Sequence, residues 1–296
     1  MMTSPTIGIV GYGVVGKAHA EVFRKKCEVI HHDPKSPESI SLDQVAKRAD
    51  IVFVCVPTPM QPDGSPDFSI VRDTVTRLHY FSFAMRLTTY PIIVVKSAVL
   101  PDTMRELADM RFDGSKHPRL CYSPEFLRDI DPEEDLMLME TLIVGGHPDD
   151  CQEVQRLFTD YSSCVPSWSH HNVTLDEAAL IKYMENCFLA LKVSYCNVFY
   201  ELWQGLPYRT TWETFVAAWT SDERMGESHT MVPGPDGRRG WGGKCLPKDI
   251  NALIWYGRKL GCDVSILEAA WKYNLTIRPD RDWERIEGAM THDTKA

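Results

Sequence analysis

The stretch GWGGKCLPKD, residues 240–249, places Cys245 between Lys244 and Lys248, just after a run of glycines. A free thiol ionises near pH ~8.5, so only roughly a few per cent is thiolate at neutral pH, and neighbouring cations raise that fraction. Lys244, Lys248, Arg238 and Arg239 are candidate cations, and the glycines let backbone approach a ligand closely. Such a cysteine is either a nucleophile for a carbonyl carbon or a thiol that happens to sit in a turn. A second pair, Lys182 and Asn186, stands four residues apart in an apolar helical stretch. That spacing puts both on one helix face. Polar groups on a buried face need partners, so the two are either a hydrogen-bonded structural pair or groups aimed at a substrate.

A third set of residues points to a dinucleotide. TIGIVGYGVVGKAHAEVF is a β-branched run, then Gly-x-Gly-x-x-Gly at Gly11, Gly13 and Gly16, then a helical pattern opening at Val14 and Val15. Gly11 allows the tight turn, Gly13 lets backbone approach a pyrophosphate, and Gly16 lets helix and strand pack closely. The following strand-like run ends at Asp33, an acceptor for ribose hydroxyls, which favours NAD over NADP.

These residues need a frame. Strand-like runs at 50–57, 90–97, 119–123 and 141–146 alternate with helical stretches such as 69–88 and 102–110. That alternation predicts an α/β fold, an N-terminal Rossmann domain with a doubly wound parallel sheet. Ligands bind beyond the carboxyl ends of such strands, where Val56, Pro57 and Thr58, Ser97 and the SPEF segment at 123–126 fall. At Thr174 the pattern changes. Thr174 and Glu177 form a capping box, and a long helix is predicted over 175–205, stopped by Gly205 and Pro207. Three more helical patterns follow, giving an all-helical central domain; the division expected is 1–172 and 173–296. His170 and His171 are read as lying in a solvated linker, and the tail after 288 as frayed.

Composition narrows the class. With 296 residues, 44% hydrophobic and a net charge of −9, the chain is ordinary globular protein without a nucleic-acid footprint. Its nine cysteines include no Cys-x-x-Cys pair, which argues against zinc and against a disulfide scaffold, and for a reducing compartment. His31 and His32 lack a third ligand, so no metal is expected. No basic leader and no membrane-length apolar run is seen, and a cytoplasmic protein with no membrane partner is expected.

Five segments occur together in one order: CVPTPMQPDGSPDFS (55–69), VVKSAVLP (94–101), SPEFLRD (123–129), EAALIKYMENCFLALKVSYCN (177–197) and GWGGKCLPKD (240–249). In this the chain resembles the nucleotide-sugar 6-dehydrogenases, which include the UDP-glucose and GDP-mannose enzymes. The resemblance runs from about residue 6 to about residue 285. It implies oxidation of a sugar C6 alcohol to a carboxylate, two NAD reduced per turnover, and a covalent cysteine intermediate, with a UDP-sugar as the favoured substrate. It makes Cys245 the nucleophile and Lys182 with Asn186 the oxyanion pair. Glu125 becomes the carboxylate that activates water, and Asp249 a proton-transfer partner of Lys182. It also implies cofactor contacts at Val14, Val15, Val56, Pro57, Thr58, Ser97, Asp129 and Lys248. Substrate contacts are implied at Phe126, Leu127, Arg128, Arg238, Arg239 and Gly242. A homodimer through helix 175–205 is implied as well.

Two departures stand out. Ala98 occupies the place of the family's threonine, which positions a water or the reacting oxygen, and Asp129 replaces a glutamate. The family continues into a further α/β domain that grips the nucleotide, and this sequence is expected to lack it. Three readings stay open: a minimal dehydrogenase gripping the pyrophosphate with Arg238 and Arg239, an enzyme for a smaller alcohol, or an NAD-binding protein with little chemistry. A two-electron β-hydroxyacid dehydrogenase shares the layout and the Lys/Asn pair but needs no cysteine, so Cys245 discriminates.

Overall fold

The computed structural model describes residues 4–112, 116–127, 131–164 and 169–291. Their chain forms two compact units: the described residues of Met1–Thr58 with Phe68–Lys182, and those of Pro59–Asp67 with Tyr183–Ala296.

The first unit is built on a seven-stranded sheet. Its strands are β1 (Thr6–Val10), β2 (Glu28–His32), β3 (Ile51–Val54), β4 (Ile92–Val95), β5 (Arg119–Tyr122), β6 (Thr141–Gly146) and β7 (Ser169–Val173). Their order is β2-β1-β3-β4-β5-β6-β7. The central strands read IVFV and IIVV and are buried at every position, as strands covered on both faces must be. The helices are α1 (Val14–Arg24), α2 (Leu42–Arg48), α3 (Ser69–Ala84), α4 (Pro101–Ala108), α5 (Pro132–Met137) and α6 (Pro148–Arg156). Phe23, Phe53 and Phe158 pack as an aromatic knot among Ile7, Ile9 and Val94 in the core.

The doubly wound sheet is the expected Rossmann one, with a single antiparallel step among the described strands, β5 to β6, Cys121 opposite Gly146. A parallel step needs a crossover laid back along the sheet. The chain between β5 and β6 instead holds only the six-residue α5 among its described residues. The segment with His170 and His171 is no linker; it is β7, paired parallel to β6 from Thr141↔Ser169 to Gly145↔Val173. Its polar sequence hid an edge strand that gains its ladder bonds from β6 alone.

The capping box forms. Thr174 N donates to Glu177 Oε2 at 2.8 Å, and Glu177 N to Thr174 Oγ1 at 3.2 Å. It opens α7 (Leu175–Gln204), and the boundary between the units falls inside this helix at Lys182/Tyr183.

The second unit adds α8 (Trp212–Thr220), α9 (Leu246–Lys259) and α10 (Ser265–Ile277). Trp241, Ile250, Ile254 and Leu267 make its core with Cys187 and Ala190 of α7. The expectation of a frayed end is also corrected up to residue 291. Met60 N donates to Ala289 O at 2.8 Å and Thr291 N to Met60 O at 2.9 Å, over a pocket filled by Trp283.

Candidate functional site

The glycine turn between β1 and α1 is shaped by close approach. Gly11 has φ +90°, and a Cβ there would lie 2.5 Å from Cys55 O. A Cβ on Gly16 would lie 2.0 Å from Gly11 O, so helix and turn touch backbone to backbone. Gly13, the N-cap of α1, is different: a Cβ there meets no atom within 4 Å. The open space lies before the first turn of α1, at Val14 and Val15, the arrangement that accepts a phosphate. Asp33 follows β2 and accepts from Tyr12 N at 2.7 Å and Lys35 N at 2.8 Å. Burial opposes its charge, but these N–H groups and the Lys35 ammonium outweigh it and hold the carboxyl below the usual range. An open pyrophosphate space beside an ionised carboxylate fits NAD.

Beyond the carboxyl ends of β3, β4 and β5 lies a buried charged cluster. Glu125 is 9% exposed. Its Oε1 accepts from Phe126 N at 2.9 Å, and its Oε2 lies 3.3 Å from Lys96 Nζ and 3.5 Å from His19 Nε2. Lys182 donates to Glu125 O and sits 5.1 Å over the Phe126 ring. Burial would raise the Glu125 pKa, yet the ammonium groups of Lys96 and Lys182, with the Phe126 N–H, carry it below the ordinary carboxylate value. Glu125 is therefore a carboxylate at neutral pH, as a base must be. Burial, then Lys96, lowers His19 to about 4, so its imidazole is neutral.

Thr58, Ser97 and Ala98 are buried close by in sequence to these strand ends. The Ser97 hydroxyl donates to Val56 O at 2.7 Å, so it braces backbone in place of offering the hydroxyl that Ala98 lacks. Pro57 is exposed, and Leu127 is half-buried against the core. Arg128 and Asp129 lie outside the described residues.

The second unit holds the remaining groups. Asp249 is 1% exposed and accepts from Asn186 Nδ2 at 2.5 Å and Lys248 Nζ at 2.6 Å. Cys245, exposed, is the N-cap of α9, and its carbonyl accepts from Asp249 N at 3.0 Å. Burial works against the Lys248 ammonium, but Asp249 and the Cys245 thiolate favour it, and its pKa is raised.

The cysteine loop is tied down by residues the sequence reading passed over. Trp241 N donates to Asn274 Oδ1 at 2.9 Å, Asn274 Nδ2 to Trp241 O at 2.9 Å, and Gly243 N to Asp282 Oδ2 at 2.9 Å. Arg278 Nε donates to Asp282 Oδ1 at 3.0 Å. Gly242 is required for this closeness, since a Cβ would fall 2.3 Å from Asp282 Oδ1. Arg239 reaches Glu201 at 2.5 Å and Asn197 Oδ1 at 3.2 Å, while Arg238 pairs with Asp280. Both arginines thus have carboxylate partners within their own unit.

His19 and Lys96 were also missed. Their signals were present: a histidine on the apolar stripe of α1, and a lysine directly after a wholly β-branched strand. Among the described residues, no cluster of histidine, cysteine and carboxylate side chains suits a metal.

A dinucleotide cradle followed by a helical unit with a cysteine-headed helix defines a two-unit, dinucleotide-binding architecture. Comparison with known proteins specifies it. Two models of the UDP-glucose/GDP-mannose dehydrogenase family match, the NAD binding domain over residues 35–162 and the central domain over residues 176–276. The chain belongs to that family, and its first unit is the family's NAD-binding domain. The UDP-glucose 6-dehydrogenase of Rickettsia felis is 28% identical over 251 residues, 84% of this chain and 52% of that protein. The chain spans about half the length of the curated relatives it matches.

Two solved structures share the fold. A UDP-glucose dehydrogenase from the archaeon Pyrobaculum islandicum gives a TM-score of 0.79 at 24% identity, over 96% of this chain and 71% of that one. The 3-hydroxyisobutyrate dehydrogenase of Mycobacterium tuberculosis gives 0.69 at 15% identity, over 94% and 95%. The fold alone therefore does not choose between four-electron and two-electron chemistry.

Proposed function

We propose that the protein oxidises the C6 alcohol of a nucleotide sugar to the uronic acid, with NAD as oxidant and Cys245 as nucleophile. The observation that carries this reading is the cysteine at the head of α9, whose first turn also carries the buried Lys248 and Asp249, the latter hydrogen-bonded to Asn186 of α7. A two-electron dehydrogenase has no use for that cysteine. NAD, when bound, supplies the hydride acceptor for both oxidations.

The chain's own groups do the rest. The thiolate of Cys245 adds to the C6 aldehyde to give a thiohemiacetal, and loss of hydride leaves a thioester. Lys182 and Asn186 stabilise the developing oxyanion. Glu125 takes a proton from water, the resulting hydroxide attacks the acyl carbon, and thiolate leaves. Asp249 orients Asn186 and Lys248. UDP-sugars are the favoured substrates, since the relatives that the chain matches are named for UDP-glucose. Arg238 and Arg239 serve that substrate by shaping the loop, given their carboxylate partners. A homodimer through α7 accords with the exposure of Met184 (70%), Phe188 (59%) and Leu202 (61%) on that helix.

The test is NADH formation with UDP-glucose, UDP-N-acetylglucosamine and GDP-mannose, with wild type beside Cys245→Ser. Two NADH per sugar in the wild type, and no acid from the variant, support the reading. No NADH with any of them, despite NAD binding, defeats it.

A further inference from the structure

His19 is wholly buried, with its ring packed against Phe53 and Phe158. Its Nδ1 lies 2.9 Å from Val15 O. A carbonyl only accepts, so the proton of the neutral ring is on Nδ1 and Nε2 carries a lone pair. That Nε2 has no hydrogen-bond partner, and it faces Glu125 Oε2 at 3.5 Å, which has none either. An unpartnered nitrogen lone pair thus faces a carboxylate oxygen that has an ion partner in Lys96 but no hydrogen bond, an arrangement that costs stability unless another state of the site uses it.

A proton on Oε2 resolves it. The new O–H donates to Nε2, and the orphaned nitrogen is satisfied. We propose that His19 is a positioning residue for Glu125, its bare Nε2 receiving the hydrogen bond of the carboxyl group once Glu125 has taken a proton from water. This rests on Glu125 being the base, as proposed above. Atoms balance: water gives its proton to Oε2, the hydroxide forms the bond to the acyl carbon, and no electron moves.

The other groups facing Glu125 favour the opposite state. Lys96, after β4, pairs with Oε2 and donates to Ser123 Oγ at 3.2 Å and Pro124 O at 3.4 Å. Lys182 on α7 contributes a second positive charge. Cys55, after β3, is a neutral thiol that burial pushes up to about 12, and burial raises the Cys164 thiol too. Two lysines thus favour the carboxylate, and His19 alone of these groups offers an acceptor to the acid. Set against each other, they poise the base for reversible protonation.

The test uses nitrogen-15 histidine NMR on the full chain with NAD, His19 being assigned through His19→Gln. Glu125→Gln places an N–H donor where the protonated carboxyl would donate. The wild type at pH 7 should show a neutral His19 protonated on Nδ1, and E125Q should move the Nε2 resonance upfield as it accepts a bond. A wild-type proton on Nε2, or no response in E125Q, overturns the proposal without reference to turnover.

Kinetics give a second readout. His19→Phe should slow acid formation about tenfold and move the acid limb of its pH profile lower, and H19Q, whose amide oxygen can accept, should recover most of the rate. Equal rates and equal profiles in H19F and wild type also overturn it. Failure of every sugar to yield NADH would sink the proposed function and leave the NMR result to stand or fall by itself.

Discussion

Cys245 and Lys182 differ sharply in setting: one thiol is exposed at a helix end, and one ammonium is buried against the Glu125 carbonyl. Their removal should therefore read differently. Cys245→Ser should fold normally and release no acid, because a hydroxyl at that place is a far weaker nucleophile than a thiolate. Lys182→Met should cost about 10²–10³ in kcat, the scale of one preorganised oxyanion donor. Stopped-flow NADH traces check both, and a Lys182 variant with unchanged kcat would remove that residue from the oxyanion role. Asp249→Asn is a milder case, expected to lower kcat while sparing NAD affinity.

The β1–α1 turn offers a test at the scale of the element. Gly11 and Gly13 look alike in sequence but not in space. Gly11→Ala puts a side chain at φ +90° against the backbone of Cys55 and should destabilise the protein by more than ~1–2 kcal/mol in urea unfolding. Gly13→Ala meets no protein atom, so stability should change by under about 1 kcal/mol, while the methyl enters the space left for pyrophosphate. NAD affinity should then fall at least about tenfold by titration calorimetry. A Gly13→Ala protein that binds NAD as tightly as wild type would relocate the phosphate site. The helix α7 makes a different element-scale claim, and a monomer in light scattering would refute the homodimer.

Acid stability is a property of the whole molecule. His19 is neutral when folded, with a pKa of about 4 against an ordinary 6.5. Between those values the unfolded chain holds one more proton, so stability is full above pH 6.5 and falls as pH drops toward 4. The loss from this group is about 3 kcal/mol. Glu125 acts in the same direction at lower pH: its contribution is present above 4.5 and is lost as pH falls through its depressed folded value. Urea midpoints measured from pH 7.5 to 5 should decline in wild type and stay flatter in His19→Phe. Equal slopes in the two proteins would mean His19 is not buried neutral.

How much of this was legible beforehand follows from what each signal depends on. The glycine turn, the acid after β2, the capping box of α7 and the alternation of strands and helices are local patterns, set by backbone geometry and side-chain periodicity within a few residues. Those the sequence determined by itself, together with the family resemblance carried by its long motifs. The antiparallel β6, the polar edge strand β7 and the pairing of Met60 with residues 289–291 depend on partners far along the chain, and no local pattern encodes them. The same holds at the site. Asn186 was visible as a polar residue on an apolar helix, but that Asp249 receives its amide was settled only by packing α9 beside α7. His19 read as one more residue of a helix face until folding set it 3.5 Å from a carboxylate supplied 106 positions later. Buried there, an imidazole loses its charge and a carboxylate keeps one because lysines face it, and burial of this kind is decided by tertiary structure alone.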